Sequence, residues 1–429
     1  MVGAFFNRER VFIVSDFDGT IGFFNIEPEI LKNIDSGWEE LSREFFEGKI
    51  GSKEAYRRAI ALFKIKREFL LNMIDTHFSI DSGFPPFHEK IRERGWKFFV
   101  VSDGFRIYIE RVLEKYDITP DKVFANEVVF DADGNLVDVV FPHEDPECGR
   151  FATCKKKIIE KIKEEAPDSS IFYFGDGKTD FDVADKVDFL FAKGELAIFA
   201  SEKSIPFVNF KNFTRMLTLL GKIRWIIFDL DGVLINSEEA ILEAINSVLK
   251  ETGRDKVSIE QIRDLIGIPL KDFISHFTGY VNEELISTFR GRFREVYLEK
   301  SHLLPGVENT LDYLHMKGYH LGVITNKKGE YARNLLEHLG ISRYFDFVTG
   351  EEENLPQKPD GELWLHIFNQ KGISSDEVIY VGDAEVDADF AKAGGVKFAG
   401  VATSRGMKEF LRLDADIVVN SISEMVELF

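Results

Sequence analysis

The feature that most constrains this chain is a short pattern that occurs twice. Val11-Phe12-Ile13-Val14-Ser15 leads into Asp16-Phe17-Asp18-Gly19, and Trp225-Ile226-Ile227-Phe228 leads into Asp229-Leu230-Asp231-Gly232. A continuous apolar run of this length reads as a strand buried on both faces, as in a parallel sheet covered by helices. The glycine after the second acid forces a sharp exit. The carboxyl end of such a strand is where open α/β sheets bind ligands. Two carboxylates one residue apart cost stability there unless a cation or another partner offsets them. Asp-Gly also marks ordinary turns, so the residues downstream of each copy decide between the two readings.

Downstream of each copy lies an ordered set of polar strand ends. In the first half, Trp96–Val101 reads as a strand ending in Ser102-Asp103-Gly104. Lys155 opens a helical pattern, and Ile171–Phe174 ends in Gly175-Asp176-Gly177-Lys178-Thr179-Asp180. In the second half, Tyr319–Ile324 ends in Thr325-Asn326-Lys327. Lys358-Pro359-Asp360 precedes a helix, and Val378–Val381 ends in Gly382-Asp383 with Asp387 four residues on. From first acid to hydroxyl is 86 residues (Asp16 to Ser102) and 96 (Asp229 to Thr325); to the lysine, 139 and 129; to the glycine-flanked acid, 160 and 154. Four elements in one order at similar intervals argue for an internal repeat rather than chance matches.

At 429 residues the chain exceeds one ordinary core. We expect domains at residues 1–221 and 222–429, with a boundary near Gly221. Helically spaced apolar residues predict a cap inserted after the first strand of each, at about 25–84 and about 237–303. Glu27 and Glu238, early in those caps, are candidate specificity residues. Lys122–Phe130 and Leu136–Phe141 flank Asp-Gly and predict a hairpin insertion at about 123–154. A net charge of -20 argues against nucleic acid or an anionic membrane as partner. No apolar run approaches membrane-spanning length. Two cysteines cannot build a disulfide framework, so a reducing cytoplasm is expected. His143, Cys148 and Cys154 fall short of a zinc set, which leaves a reduced structural loop as the reading. The 41 phenylalanines lie mostly in strand-like and helix-like runs and read as core.

Clustered acids at strand ends, with a lysine and a hydroxyl, suit phosphoryl transfer, which rests on positioning and charge neutralisation. Asp16 and Asp229 are the candidate nucleophiles. Asp18 and Asp231, two residues on, can protonate the leaving oxygen and then activate water. A hard cation such as Mg²⁺ prefers oxygen ligands, and Asp16, Asp18 and Asp176, or Asp229, Asp231 and Asp383, would hold it, with Asp180 and Asp387 as direct ligands or as support behind them. Lys155 and Lys358 would neutralise phosphoryl oxygens. Ser102 and Asp103, with Thr325 and Asn326, would complete the phosphate contacts, although Ser102 and Thr325 also read as helix caps.

These motifs resemble those of the haloacid dehalogenase superfamily, and the resemblance covers essentially the whole chain as two consecutive members. It implies an α/β fold of two doubly wound parallel-sheet, Rossmann-like domains, each with a mobile cap. It implies Mg²⁺-dependent phosphatase activity on small phosphorylated metabolites through an aspartyl-phosphate. The first half is similar to the phosphoserine phosphatase branch. Its Ser102-Asp103-Gly104, Pro142–Cys148 and Cys154-Lys155 resemble the methionine-salvage phosphatases. The second half, through Asp229–Ser237 and Val381-Gly382-Asp383, is similar to the phosphoglycolate phosphatase and β-phosphoglucomutase branch. The true dehalogenases lack the second acid, which Asp18 and Asp231 supply here. A sugar phosphomutase in the second half, or one half serving as a non-catalytic assembly or sensing module, stand as alternatives. The sequence does not fix the substrates or the oligomeric state.

Overall fold

Buried along nearly its whole length, strand β1 (Val11–Ser15) runs through the middle of a sheet, as its unbroken apolar sequence requires. The computed structural model describes residues 10–24, 37–62, 65–352, 354–403, 406–427 and 429. Contacts divide it into two units, Arg8–Ala200 with Phe210–Leu217, and Ser201–Asn209 with Thr218–Phe429.

In the first unit β1 is followed by β2 (Gly22–Phe24), β3 (Phe78–Ile80), β4 (Lys97–Phe105), β5 (Lys122–Phe130), β6 (Leu136–Val140), β7 (Ser170–Gly175) and β8 (Phe189–Ala192). The main sheet has the order β8-β7-β1-β4-β5-β6. All pairs are parallel except β5 with β6, the expected hairpin. The chain leaves β1 toward β4 and later returns to its other side through β7. The carboxyl end of β1 is therefore a topological switch point, where such sheets leave a crevice. Helices Gly37–Phe46, Ser52–Leu62 and Arg67–His77 form the insertion after β1. It is closed by an antiparallel β2–β3 ribbon that periodicity did not reveal. Glu27 lies outside the described residues.

The second unit contains β9 (Phe207–Asn209), β10 (Trp225–Phe228), β11 (Ile235–Asn236), β12 (His302–Leu303), β13 (His320–Lys328), β14 (Phe347–Glu351), β15 (Val378–Gly382), β16 (Lys397–Val401) and β17 (Ile417–Val419). Its sheet order is β14-β13-β10-β15-β16-β17-β9. Here β10 takes the place of β1, between β13 and β15, and only β9 runs antiparallel. Helices Glu238–Glu251, Ile259–Arg263, Leu270–Thr278 and Glu283–Val296 form its insertion, clasped at its base by β11 and β12. Among the described residues no helix is long and apolar enough to cross a membrane.

A single cut near residue 221 does not describe this division. β9 precedes that point in sequence yet pairs with β17 of the second unit, Val208 opposite Ile417. The chain then rejoins the first unit, because Phe210 and Phe213 pack on Phe174 with ring centroids 5.3 and 5.4 Å away. Phe174 also stacks on Phe191 at 4.2 Å, so the phenylalanines do fill a core.

The loop expected to carry reduced cysteines is closed by a Cys148–Cys154 disulfide. A short turn at Pro146–Cys148 and a hydrogen bond from Cys154 N–H to the His143 carbonyl (2.8 Å) fold the loop back. The two Cα atoms come within 5.4 Å, a separation a disulfide can span. A count of two cysteines excludes a framework of several bridges, but not one bridge across a short loop. With both sulfurs bonded, His143 has no thiolate beside it, and its ring lies against Phe124 at 5.3 Å.

Candidate active sites

Each central strand delivers its first acid in the same way. Asp16 N–H donates to the Phe174 carbonyl and Asp229 N–H to the Val381 carbonyl, both at 2.8 Å, so register alone fixes these residues at the strand end. The following glycines, Gly19 and Gly232, adopt φ +77° and +79°. A Cβ at Gly19 would overlap the Asp176 carboxylate, and one at Gly232 that of Asp383. Gly232→Ala therefore combines a left-handed backbone cost of about 1–2 kcal/mol with displacement of Asp383. Expected are a lower melting temperature and weaker divalent-ion binding by calorimetry.

Around the first acids the predicted carboxylates converge. Oxygens of Asp16, Asp176 and Asp180 lie within 4.8 Å of one another, as do those of Asp229, Asp383 and Asp387. The carboxylates of Asp18 and Asp231, predicted as metal ligands, are aimed elsewhere. Asp18 accepts from Ser102 Oγ (3.2 Å) and from a short Tyr108 O–H contact. Asp231 accepts from Ser237 Oγ in a similarly short contact and pairs with Lys327 Nζ at 3.0 Å. Both arrangements give the second acid partners outside the carboxylate cluster.

The lysines lie where predicted. Lys155 Nζ reaches Asp16 (3.0 Å) and Asp180 (2.6 Å). Lys358 Nζ reaches Asp229 (2.8 Å), Asp387 (2.7 Å) and the Tyr380 hydroxyl (3.0 Å). Burial works against each ammonium, but the flanking carboxylates outweigh it and hold both lysines above their usual pKa. Burial also raises Asp16 well above the carboxylate range, with Lys155 opposing, and pushes Asp229 up to about 7 against the pull of Lys358. Three carboxylates facing one ammonium leave negative charge uncompensated. That is a fit for a divalent cation, and the all-oxygen donor set favours a hard one.

Of the two roles open to Asp180 and Asp387, their hydrogen bonds favour support over direct ligation. Asp180 accepts from Lys155 Nζ, the Tyr173 hydroxyl (2.6 Å) and the N–H groups of Asp176 (3.1 Å) and Gly177 (3.0 Å). Asp387 accepts from Lys358, Tyr380 and the N–H groups of Asp383 and Ala384 (both 3.1 Å). A carboxylate has about four acceptor sites, and here all are occupied. These acids shape the turn and hold the lysine, while Asp16 with Asp176, and Asp229 with Asp383, supply the other carboxylates of each cluster. Thr20 Oγ, absent from the sequence prediction, steadies Asp176 at 2.6 Å.

Asp103 and Asn326, predicted phosphate contacts, have side chains committed to bracing. Asp103 accepts from Thr153 N–H (2.7 Å) and is hydrogen-bonded to Ser52, tying an insertion helix to the residues before Lys155. Asn326 donates to the Gly267 and Lys358 carbonyls (3.0 Å each) and accepts from Lys358 N–H (2.9 Å). Ser102 Oγ accepts from Gly104 N–H (2.9 Å) and Thr325 Oγ from Lys327 N–H (3.2 Å), the cap-like role read beside the phosphate one. Glu238 is bound to Arg263 Nε at 2.8 Å, joining two insertion helices. Tyr108, Ser237 and Lys327 were missed. Lys327, adjacent to the Thr-Asn motif, and Ser237, closing the Asp229–Ser237 stretch, carried a usable sequence signal, and Tyr108 did not.

Burial raises Asp103 to about 6, against its bonds to Ser52 and Thr153. A carboxyl with a raised native pKa binds its proton more tightly folded than unfolded, so its contribution to stability is full at low pH and declines through pH 6. Asp103→Asn retains an acceptor and removes this dependence. Its stability relative to the parent should rise by about 1 kcal/mol between pH 5 and 7.5, measured by urea unfolding.

Comparison with known proteins settles the family. Residues 226–401 match one family model, described as haloacid dehalogenase-like hydrolase, and residues 13–185 match a second with the same description. Phosphoglycolate phosphatase 1 of Pseudomonas aeruginosa is 32% identical over 188 residues, covering 42% of this chain and 69% of its own.

The chain belongs to the haloacid dehalogenase-like hydrolases.

A 5'-nucleotidase of the same organism is 28% identical, over 44% of this chain and 86% of its own. A haloacid dehalogenase-like family hydrolase of Streptococcus pneumoniae, of known structure, covers 48% of this chain and 98% of its own at 23% identity and TM-score 0.45. For this dehalogenase-like chain, the two matched regions carry the two carboxylate clusters.

Proposed function

We propose that each unit is a divalent-cation-dependent phosphomonoester hydrolase acting on small phosphorylated metabolites through an aspartyl-phosphate. The observation that carries this reading is the same arrangement in both units: a buried aspartate at the switch point, a buried lysine on it, and a further acid two residues away (Asp16, Lys155 and Asp18; Asp229, Lys358 and Asp231). The phosphatase names of the relatives agree with it.

In this reading Asp16 or Asp229 attacks phosphorus, and the bond to the leaving oxygen breaks. Asp18 or Asp231 delivers its proton to that oxygen, then takes one from the water that cleaves the acyl-phosphate. Burial raises the pKa of Asp18, with the Tyr108 and Ser102 hydrogen bonds opposing, which favours the protonated form needed for the first step. Lys155 and Lys358 hold the nucleophile and neutralise the transferred group. Asp16 with Asp176, and Asp229 with Asp383, would hold Mg²⁺, whose charge lets a carboxylate and a phosphate approach one another.

Chelation tests the metal requirement. EDTA should abolish phosphate release from p-nitrophenyl phosphate, and excess Mg²⁺ should restore it. Undiminished turnover in EDTA would remove the cation from the reading.

A further inference from the structure

Beside Asp231 the second unit lines a partly open, largely apolar pocket of about 80 Å³. Its floor is the end of β13 at Thr325–Lys328, and its walls come from the insertion helices and the turn between two of them, residues 264–269. Leu265, Ile268, Leu270, Phe273, Phe289 and Phe293 make most of that wall. The cavity lies on the side of the proton-transfer acid, so a leaving group would occupy it.

The cations on its surface are all matched within the protein. Arg290 donates to Glu351 at 2.6 Å. Lys327 lies on Asp231 at 3.0 Å and over the Phe293 ring at 4.6 Å. Lys328 pairs with Glu330 at 3.0 Å. The Asn326 amide is committed to Gly267 and Lys358. A second anionic group on a substrate would meet Glu351 as well as Arg290, and would lose its hydration against isoleucine and phenylalanine side chains without a cation to offset the loss. An uncharged apolar body loses nothing comparable and gains from burial. The donor left over is Arg290 Nε, buried and without a hydrogen-bond partner, which suits one neutral acceptor.

We infer that the second unit takes phosphomonoesters of uncharged, largely apolar alcohols, in preference to phosphorylated small carboxylic acids. This rests on the phosphatase reading of that site and adds the class of its leaving group.

The test compares benzyl phosphate with 2-phosphoglycolate, both esters of weakly acidic primary alcohols, in the full chain carrying Asp16→Asn to silence the first unit. Expected is a kcat/KM at least about tenfold higher for benzyl phosphate, the size of a ring-burial effect. Two variants locate the origin. Phe289→Ala should raise KM for benzyl phosphate by about tenfold and change phosphoglycolate little. Glu351→Gln releases Arg290 and should narrow the preference by improving phosphoglycolate. Phosphoglycolate turned over as well as or better than benzyl phosphate would overturn the inference and leave the phosphatase reading intact. Equal effects of Phe289→Ala on both esters would overturn the assignment of this cavity to the leaving group. Turnover of neither ester, with Mg²⁺ present, would remove the phosphatase reading and the inference together.

Discussion

Asp16→Asn and Asp229→Asn should each remove one of two activities, and the double variant should lose at least about 10³-fold in turnover. An amide does not form an acyl-phosphate, so the loss follows from chemistry rather than from disturbed packing. Asparagine is nearly isosteric with aspartate and can still accept from the neighbouring lysine. Removing the charge also removes a cost, because burial already pushes Asp229 up to about 7 despite Lys358. The Asn variants should therefore melt no lower than the parent, which separates lost catalysis from lost folding. A phosphometabolite panel with Mg²⁺ on each single variant would assign substrates to sites. Unchanged activity in the double variant would refute both nucleophiles, and unchanged activity in one single variant across the whole panel would mark that half as non-catalytic.

Local pattern made part of this molecule legible in its sequence. An apolar run leading into Asp-x-Asp-Gly is buried-strand grammar, so the two parallel sheets, their switch points and the converging acids could be read from it. Features set by distant pairing could not. Nothing near Tyr108 announces that its hydroxyl meets Asp18, ninety residues earlier. Asn326 looks like a phosphate ligand until Gly267 and Lys358 are seen to occupy its amide. Asp180 and Asp387 look like metal ligands because spacing counts carboxylates, whereas coordination depends on which lone pairs remain. No local pattern at β9 reveals that its partner is β17, over two hundred residues away. The Cys148–Cys154 bridge was discounted on a count of cysteines, when the folding of one short loop decides it.

Lys358→Met should be the most destabilising single change at either site. Its ammonium is fully buried and serves Asp229, Asp387 and Tyr380 at 2.7–3.0 Å. Methionine fills much of the same volume, so the effect is electrostatic. Two buried carboxylates lose their only ammonium within salt-bridge distance among the described residues, and breaking such a pair from one side costs about 3–5 kcal/mol. Lys155→Met should behave alike in the first unit, through Asp16 and Asp180. Arginine should not rescue, because a planar fork does not fit a pocket built around a point donor. Adding Asp387→Asn to Lys358→Met removes one orphaned charge and should recover part of the stability, yet none of the activity, since nothing then neutralises the transferred phosphoryl group. Calorimetric melting of the single and double variants, with turnover measured in parallel, tests the stability effect and the catalytic one separately. A Lys358→Met protein that melts with the parent would show that the carboxylates there are already neutral, and would overturn the charge arrangement on which the proposed chemistry rests.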